Sequence, residues 1–215
     1  MQRLSYLSGP MFVVLAVVAI VGIGGSTPGN DASAAKLASF YDTNQIRQAL
    51  ACFVLAASVP VLVFFGIALA RATSPEAGPT GFWSQVVFAG TILEAGALLV
   101  VVLVHFALVD AANNVEPGAL QSINALDAND WVAFNPALGV LMLGAAGAFL
   151  SARTLRWLGW IALPLGIALF IPFADFFALI ATLLWIAVAG IALARRQASP
   201  DYVTAPAQRA APARL

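Results

Sequence analysis

The sequence predicts an all-α membrane protein: a polytopic bundle of six transmembrane helices, both termini cytoplasmic, with two short interfacial helices on the outer side. Three observations predict it. Of 215 residues, 61% are apolar and 9% charged, against about 25% charged in soluble domains, and the mean hydropathy is +0.92. Apolar runs long enough for a bilayer recur between short polar turns. Once those runs are laid out, the basic residues sort to one side of them.

The spans follow in order within one domain, residues 1–196. The first, about residues 4–24, follows Arg3; its exit Gly22, Gly24, Gly25, Ser26 lacks an A-x-A cleavage site, so it is read as a retained helix. Pro10 falls in its opening part, where proline is tolerated. Residues 26–46 are polar punctuation followed by a short helix that Asp31 or Ser33 can cap. Leu37, Phe40 and Tyr41 recur at i, i+3, i+4, a stripe suited to the membrane interface. Span two covers about 48–70 and ends at Arg71, before a Pro- and Gly-rich turn, SPEAGPTG. Span three, about 82–109, carries the acid Glu94 near its midpoint and the chain's single histidine, His105.

Residues 110–130 hold four acids and no base. Within them Pro117 can open a second interfacial helix, with Leu120, Ile123 and Leu126 spaced by three. Span four, about 131–152, meets Asn135-Pro136 early and is rich in small residues from Gly139 to Ala148, which let helices approach closely in lipid. Spans five and six, about 157–171 and 176–194, form a tight hairpin across Pro172 to Asp175. Span five is short for a hydrocarbon core of about 30 Å. Arg195-Arg196 closes the membrane part, and residues 197–215, rich in Ala and Pro, read as a disordered cytoplasmic tail.

Eight of ten basic residues (Arg3, Arg71, Arg153, Arg156, Arg195, Arg196, Arg209 and Arg214) fall on one side, and Lys36 and Arg47 on the other. The positive-inside bias then puts both ends in the cytoplasm and the chain in the plasma (inner) membrane. Trp83, Trp157 and Trp160 mark the inner boundary and Trp131 the outer one.

Zero formal net charge leaves no basic field for nucleic acid. Cys52 stands alone, so no intrachain disulfide or thiolate metal site can form. No Gly-rich phosphate loop, H-E-x-x-H or G-x-S-x-G occurs, and there is no second histidine for a bis-histidine haem. Neither a cofactor nor a metal is expected. The expected partners are the lipid bilayer, a second copy or another membrane protein, and a small-molecule or lipid ligand.

Glu94 is the central candidate. A carboxylate in hydrocarbon costs a few kcal/mol or more, so it needs a partner, a wet cavity or a bound proton. It can serve as a proton-carrying or cation-binding group, as the acid of an intramembrane enzyme, or as helix glue bonded to Thr91, Gln85 or backbone. His105 lies eleven residues on. Eleven steps of about 100° end only about 20° from a whole turn, so both side chains share one face about 16 Å apart. Solvent or Asp110 can satisfy His105. Asp110, Asn135 and Asp175 can converge with it on an outward mouth above Glu94, or be ordinary loop groups. Arg47, against the charge bias, can pair with an outer acid such as Asp42 or with a lipid phosphate.

Three stretches carry a family resemblance: Asp31-Ala-Ser-Ala-Ala through Phe40-Tyr41-Asp42 to Arg47, Ile123-Asn-Ala-Leu-Asp127, and Arg156-Trp-Leu-Gly-Trp160. They resemble a group of uncharacterised actinobacterial six-span membrane proteins, similar to a bacterial domain-of-unknown-function membrane family. The likeness covers most of residues 3–196 and implies the six-span fold; it brings no catalytic motif and no activity.

Three functions are consistent with these residues. The first is binding or translocation of a small or amphipathic solute with Glu94 as a membrane-buried protonatable site. The second is an accessory or scaffolding subunit that docks through the Gly139–Ala148 face. The third is an intramembrane enzyme on lipid or isoprenoid substrates, with Glu94 as acid and His105 or Asp175 as base.

Overall fold

The structure, a computed structural model, describes residues 2–73, 81–112, 114–152 and 155–197. Among them every regular element is helical: α1 (Gln2–Val17), continued by a π-helical segment (Val18–Gly24), α2 (Ala34–Thr73), α3 (Phe82–Ala111), α4 (Pro117–Asp127), α5 (Trp131–Ser151), α6 (Arg156–Ala168) and α7 (Asp175–Arg196). Five stretches are long and apolar enough to cross a membrane: Leu4–Gly24, Ala34–Thr73, Phe82–Ala111, Pro117–Ser151 and Asp175–Arg196. The 13 residues of α6 make only about 20 Å of helix. Proline at 172 then removes a backbone donor just where continuation would need one. The SPEAGPTG turn (but for Gly81), Arg153 and all but the first residue of the 197–215 tail lie outside the described residues.

The helices close a ring: α1 touches α2, α2 touches α3, α3 touches α5, α5 touches α6, α6 touches α7, and α7 returns to α1. The short α4 contacts α2 and α3 and caps one end. Gln197 donates to the Tyr6 hydroxyl at 3.2 Å, so the start of α1 and the end of α7 meet at the end away from α4. The ring is an apolar cylinder on the outside too. Phe53, Phe64, Leu93, Leu103 and Leu184 are each more than half exposed, which is the surface a lipid-embedded bundle presents.

Glycine sets the closest approaches. A Cβ at Gly90 of α3 would overlap the Leu141 backbone, and one at Gly144 of α5 would come within 2.7 Å of the Val87 nitrogen. The two helices therefore cross backbone to backbone, as small residues permit in lipid. At Gly190 the reason is different. Pro10 has no N–H for the Tyr6 carbonyl one turn earlier, and Gly190 of α7 lies against that carbonyl with no side chain in the way.

Two sequence expectations change here. The short helix expected within residues 26–46 is the first part of the 40-residue α2, with Ser33 Oγ accepting from Lys36 N at 3.4 Å. Its Leu37 and Tyr41, expected at the membrane interface, are fully buried against Leu108, Val109 and Leu120. The protruding end of α3 and the added α4 give that stripe a protein surface to cover. In α4, Leu120 is buried and Leu126 is 65% exposed, because a spacing of three drifts about 60° per step around a helix.

Candidate functional site

Among the described residues, the far half of the ring is packed with large side chains. Phe65, Phe149, Trp185, Leu62, Leu158 and Met142 belong to one buried cluster, and the Trp185 indole donates to the Leu158 carbonyl at 3.0 Å. The half nearer α4 is hollow. It holds a cavity of about 410 Å³ walled by α1 and its π-helical end, α2, α3, α5 and α7, with α4 at its rim. Phe12, Ala16, Leu55, Leu98, Leu138 and Leu183 make its middle apolar.

Glu94 lines this cavity and is only 3% exposed. The Leu138 backbone amide faces its carboxyl from α5, yet Oε2 has no hydrogen-bond partner among the described residues. Helix α3 is apolar all round, so hydropathy alone cannot say which way it faces. The structure turns Leu93 and Leu103 outward and Glu94 and Leu98 inward. Of the glue partners considered for Glu94, backbone is the one that meets it, through Leu138 of the neighbouring helix. Thr91 donates instead to the Val87 carbonyl at 2.8 Å.

The rim is polar and tied across three helices. Gln48 of α2, completely buried, donates through Nε2 to the Gly24 carbonyl at 2.9 Å. That bond turns its Oε1 toward His105 Nε2, 3.1 Å away. The other ring nitrogen, Nδ1, lies 2.9 and 3.1 Å from the two carboxylate oxygens of Asp127 on α4. Both ring nitrogens are thus engaged, one by the α4 carboxylate and one by the Gln48 side chain. Tyr41 meets the His105 ring edge-on, with centroids 5.9 Å apart. Asn124 and Gln121 of α4 donate to the Gly29 and Ala32 carbonyls, both at 3.3 Å, holding the connection before α2 over the cavity. Asp130, in the turn after α4, completes the rim.

Glu94 and His105 therefore do share one face and one cavity, the deep group and the rim group respectively. The other expected mouth residues are elsewhere. His105 pairs with Asp127; Asp110 is exposed and does not line the cavity. Asn135 donates to Asp175 Oδ2 at 2.9 Å, a latch between the starts of α5 and α7 outside the cavity wall. Arg47 is exposed beside Gly25. Among the described residues no second ionisable side chain pairs with Glu94, and no group of three His, Cys, Asp or Glu could hold a metal. The small-residue face of α5 is used inside the ring, Gly139 against Phe170, Gly144 against Val87 and Gly147 against Trp83.

Fold and site together define, among the described residues, an all-helical bundle whose long apolar helices fit a membrane, with the buried acid Glu94 on a cavity. Comparison with family models, curated proteins and solved structures finds no match.

Proposed function

We propose that the chain is a six-span protein of the plasma (inner) membrane that binds or translocates a small or amphipathic solute in this cavity, with Glu94 as the protonatable group. In this reading α6 and the turn after it form the sixth, short span. α4 lies at the outer rim, and both termini are cytoplasmic. The charge pattern supports that orientation: Arg71, Arg156, Arg195 and Arg196 stand at the end away from α4, and Lys36 and Arg47 stand at the α4 end. The likeness to the actinobacterial six-span group belongs to the same proposal, and Asn124 and Asp127, which help carry it, line the cavity.

One observation carries the function. An acid buried to 3% exposure, with one oxygen unpartnered among the described residues, sits on the wall of an apolar cavity of about 410 Å³. A structural carboxyl would spend both oxygens on neighbours, since an unmade buried hydrogen bond costs about 1–3 kcal/mol. The cavity has the size and mixed lining of a small-molecule site. In lipid nanodiscs the protein is expected to bind the neutral dye Nile red saturably, above empty discs, with an affinity that changes with pH. Glu94→Gln is expected to abolish the pH response, and Leu98→Trp, which fills the cavity, to abolish binding. A pH response that survives Glu94→Gln removes Glu94 as the proton site. Binding untouched by Leu98→Trp removes the cavity.

A further inference from the structure

We infer that the solute this cavity takes is a lipophilic cation, an amine or onium whose apolar body fills the aliphatic middle and whose positive centre rests at Glu94. The inference builds on the reading of the cavity as a solute site and names the chemistry of the solute. The ionisable groups lining the cavity are Glu94 and His105 of α3, Cys52 of α2, Asp127 of α4 and Asp130 at the start of α5. Among the described residues neither lysine nor arginine lines it, and α1, α5 and α7 offer it only uncharged side chains beyond that junction. The imidazole is already engaged on both sides, by Asp127 and by Gln48, so neither ring nitrogen is free for an incoming anion. An anion would meet carboxyls with no free base to receive it, a juxtaposition that costs affinity.

A cation meets the opposite situation. Glu94 Oε2 has no partner among the described residues and stands on the cavity wall. In the apolar middle an ion pair is weakly screened. Two rings, Phe12 and Phe134, line the same space and can present their faces to a positive centre. When the cavity is empty, the neutral form of Glu94 is the one hydrocarbon tolerates. When the cation arrives, the carboxyl releases its proton to solvent and the charge of the cavity as a whole is unchanged. Proton and cation therefore exclude one another at one oxygen pair, so each weakens the binding of the other.

The test compares two probes of the same shape and opposite charge, tetraphenylphosphonium and tetraphenylborate, by calorimetry on the purified protein in nanodiscs, with empty discs subtracted. The phosphonium is expected to bind at least about tenfold more tightly than the borate. Lowering the pH is expected to weaken it, and Glu94→Gln to weaken it by about tenfold or more and to flatten the pH response. Glu94→Asp, which keeps the charge, is expected to keep the preference, and thermal melts verify that both variants are folded. Borate binding as tight as the phosphonium, no phosphonium binding, or phosphonium binding unchanged in Glu94→Gln each overturns the cation assignment. If Nile red still binds with a Glu94-dependent pH response in that event, only the cation fails; if that response is absent too, the solute site falls with it.

Discussion

Gln48 shows how one side chain can organise a rim. Its amide satisfies the carbonyl that ends the π-helical segment and, by being held that way round, presents an oxygen to His105. Gln48→Leu leaves both the Gly24 carbonyl and His105 Nε2 without that partner. It is expected to cost about 1–3 kcal/mol, read as a lower melting temperature in detergent. Asp127→Asn acts on the same imidazole, so the double variant is expected to lose less than the two single losses added. Of this cluster, the sequence shows only the Glu94–His105 pair, because a shared helix face is a local property that spacing reveals. Gln48 and Asp127 reach His105 across 57 and 22 residues. No spacing rule connects them, and a glutamine opening an apolar run looks like an ordinary span boundary. Asp110, near His105 in sequence, is a poor guide for the same reason: five residues along a helix turn it away from the histidine's face.

At the level of elements, the α3–α5 crossing is where the ring is most tightly constrained. Gly90 and Gly144 are the positions at which the two backbones meet. Gly144→Leu is expected to destabilise the protein by about 1–3 kcal/mol or more by forcing those backbones apart. Gly96, on the same helix as Gly90 but with open space for 4 Å around the point a Cβ would occupy, is the matched control, and Gly96→Leu is expected to leave the melt nearly unchanged. The apolar runs are legible in sequence because a bilayer sets their length. Element ends are less so. Nothing local separates residues 34–46 from the span that follows, since Asn44, Gln45 and Arg47 are all acceptable in a helix. The stripe of Leu37 and Tyr41 shows a face to be covered, and only the tertiary arrangement says that protein covers it.

For the molecule as a whole, the order of neighbours around the ring is invisible to hydropathy, which measures each helix alone. The orientation proposed for it has a direct test, because Cys52 is the sole cysteine. In a Cys52→Ala background, Asn129→Cys is expected to react with a membrane-impermeant maleimide on intact cells, whereas Ser199→Cys is expected to react only after permeabilisation. The reverse pattern would invert the bundle and place the His105 rim in the cytoplasm. Finally, the contrast between the hollow half and the half stoppered by Phe65, Phe149 and Trp185 has a kinetic meaning. In the proposed reading, a vessel with such a floor loads and unloads from one side. Passage to the opposite compartment would require those rings to part, so substitutions thinning that floor should accelerate leakage while leaving equilibrium occupancy nearly as it was.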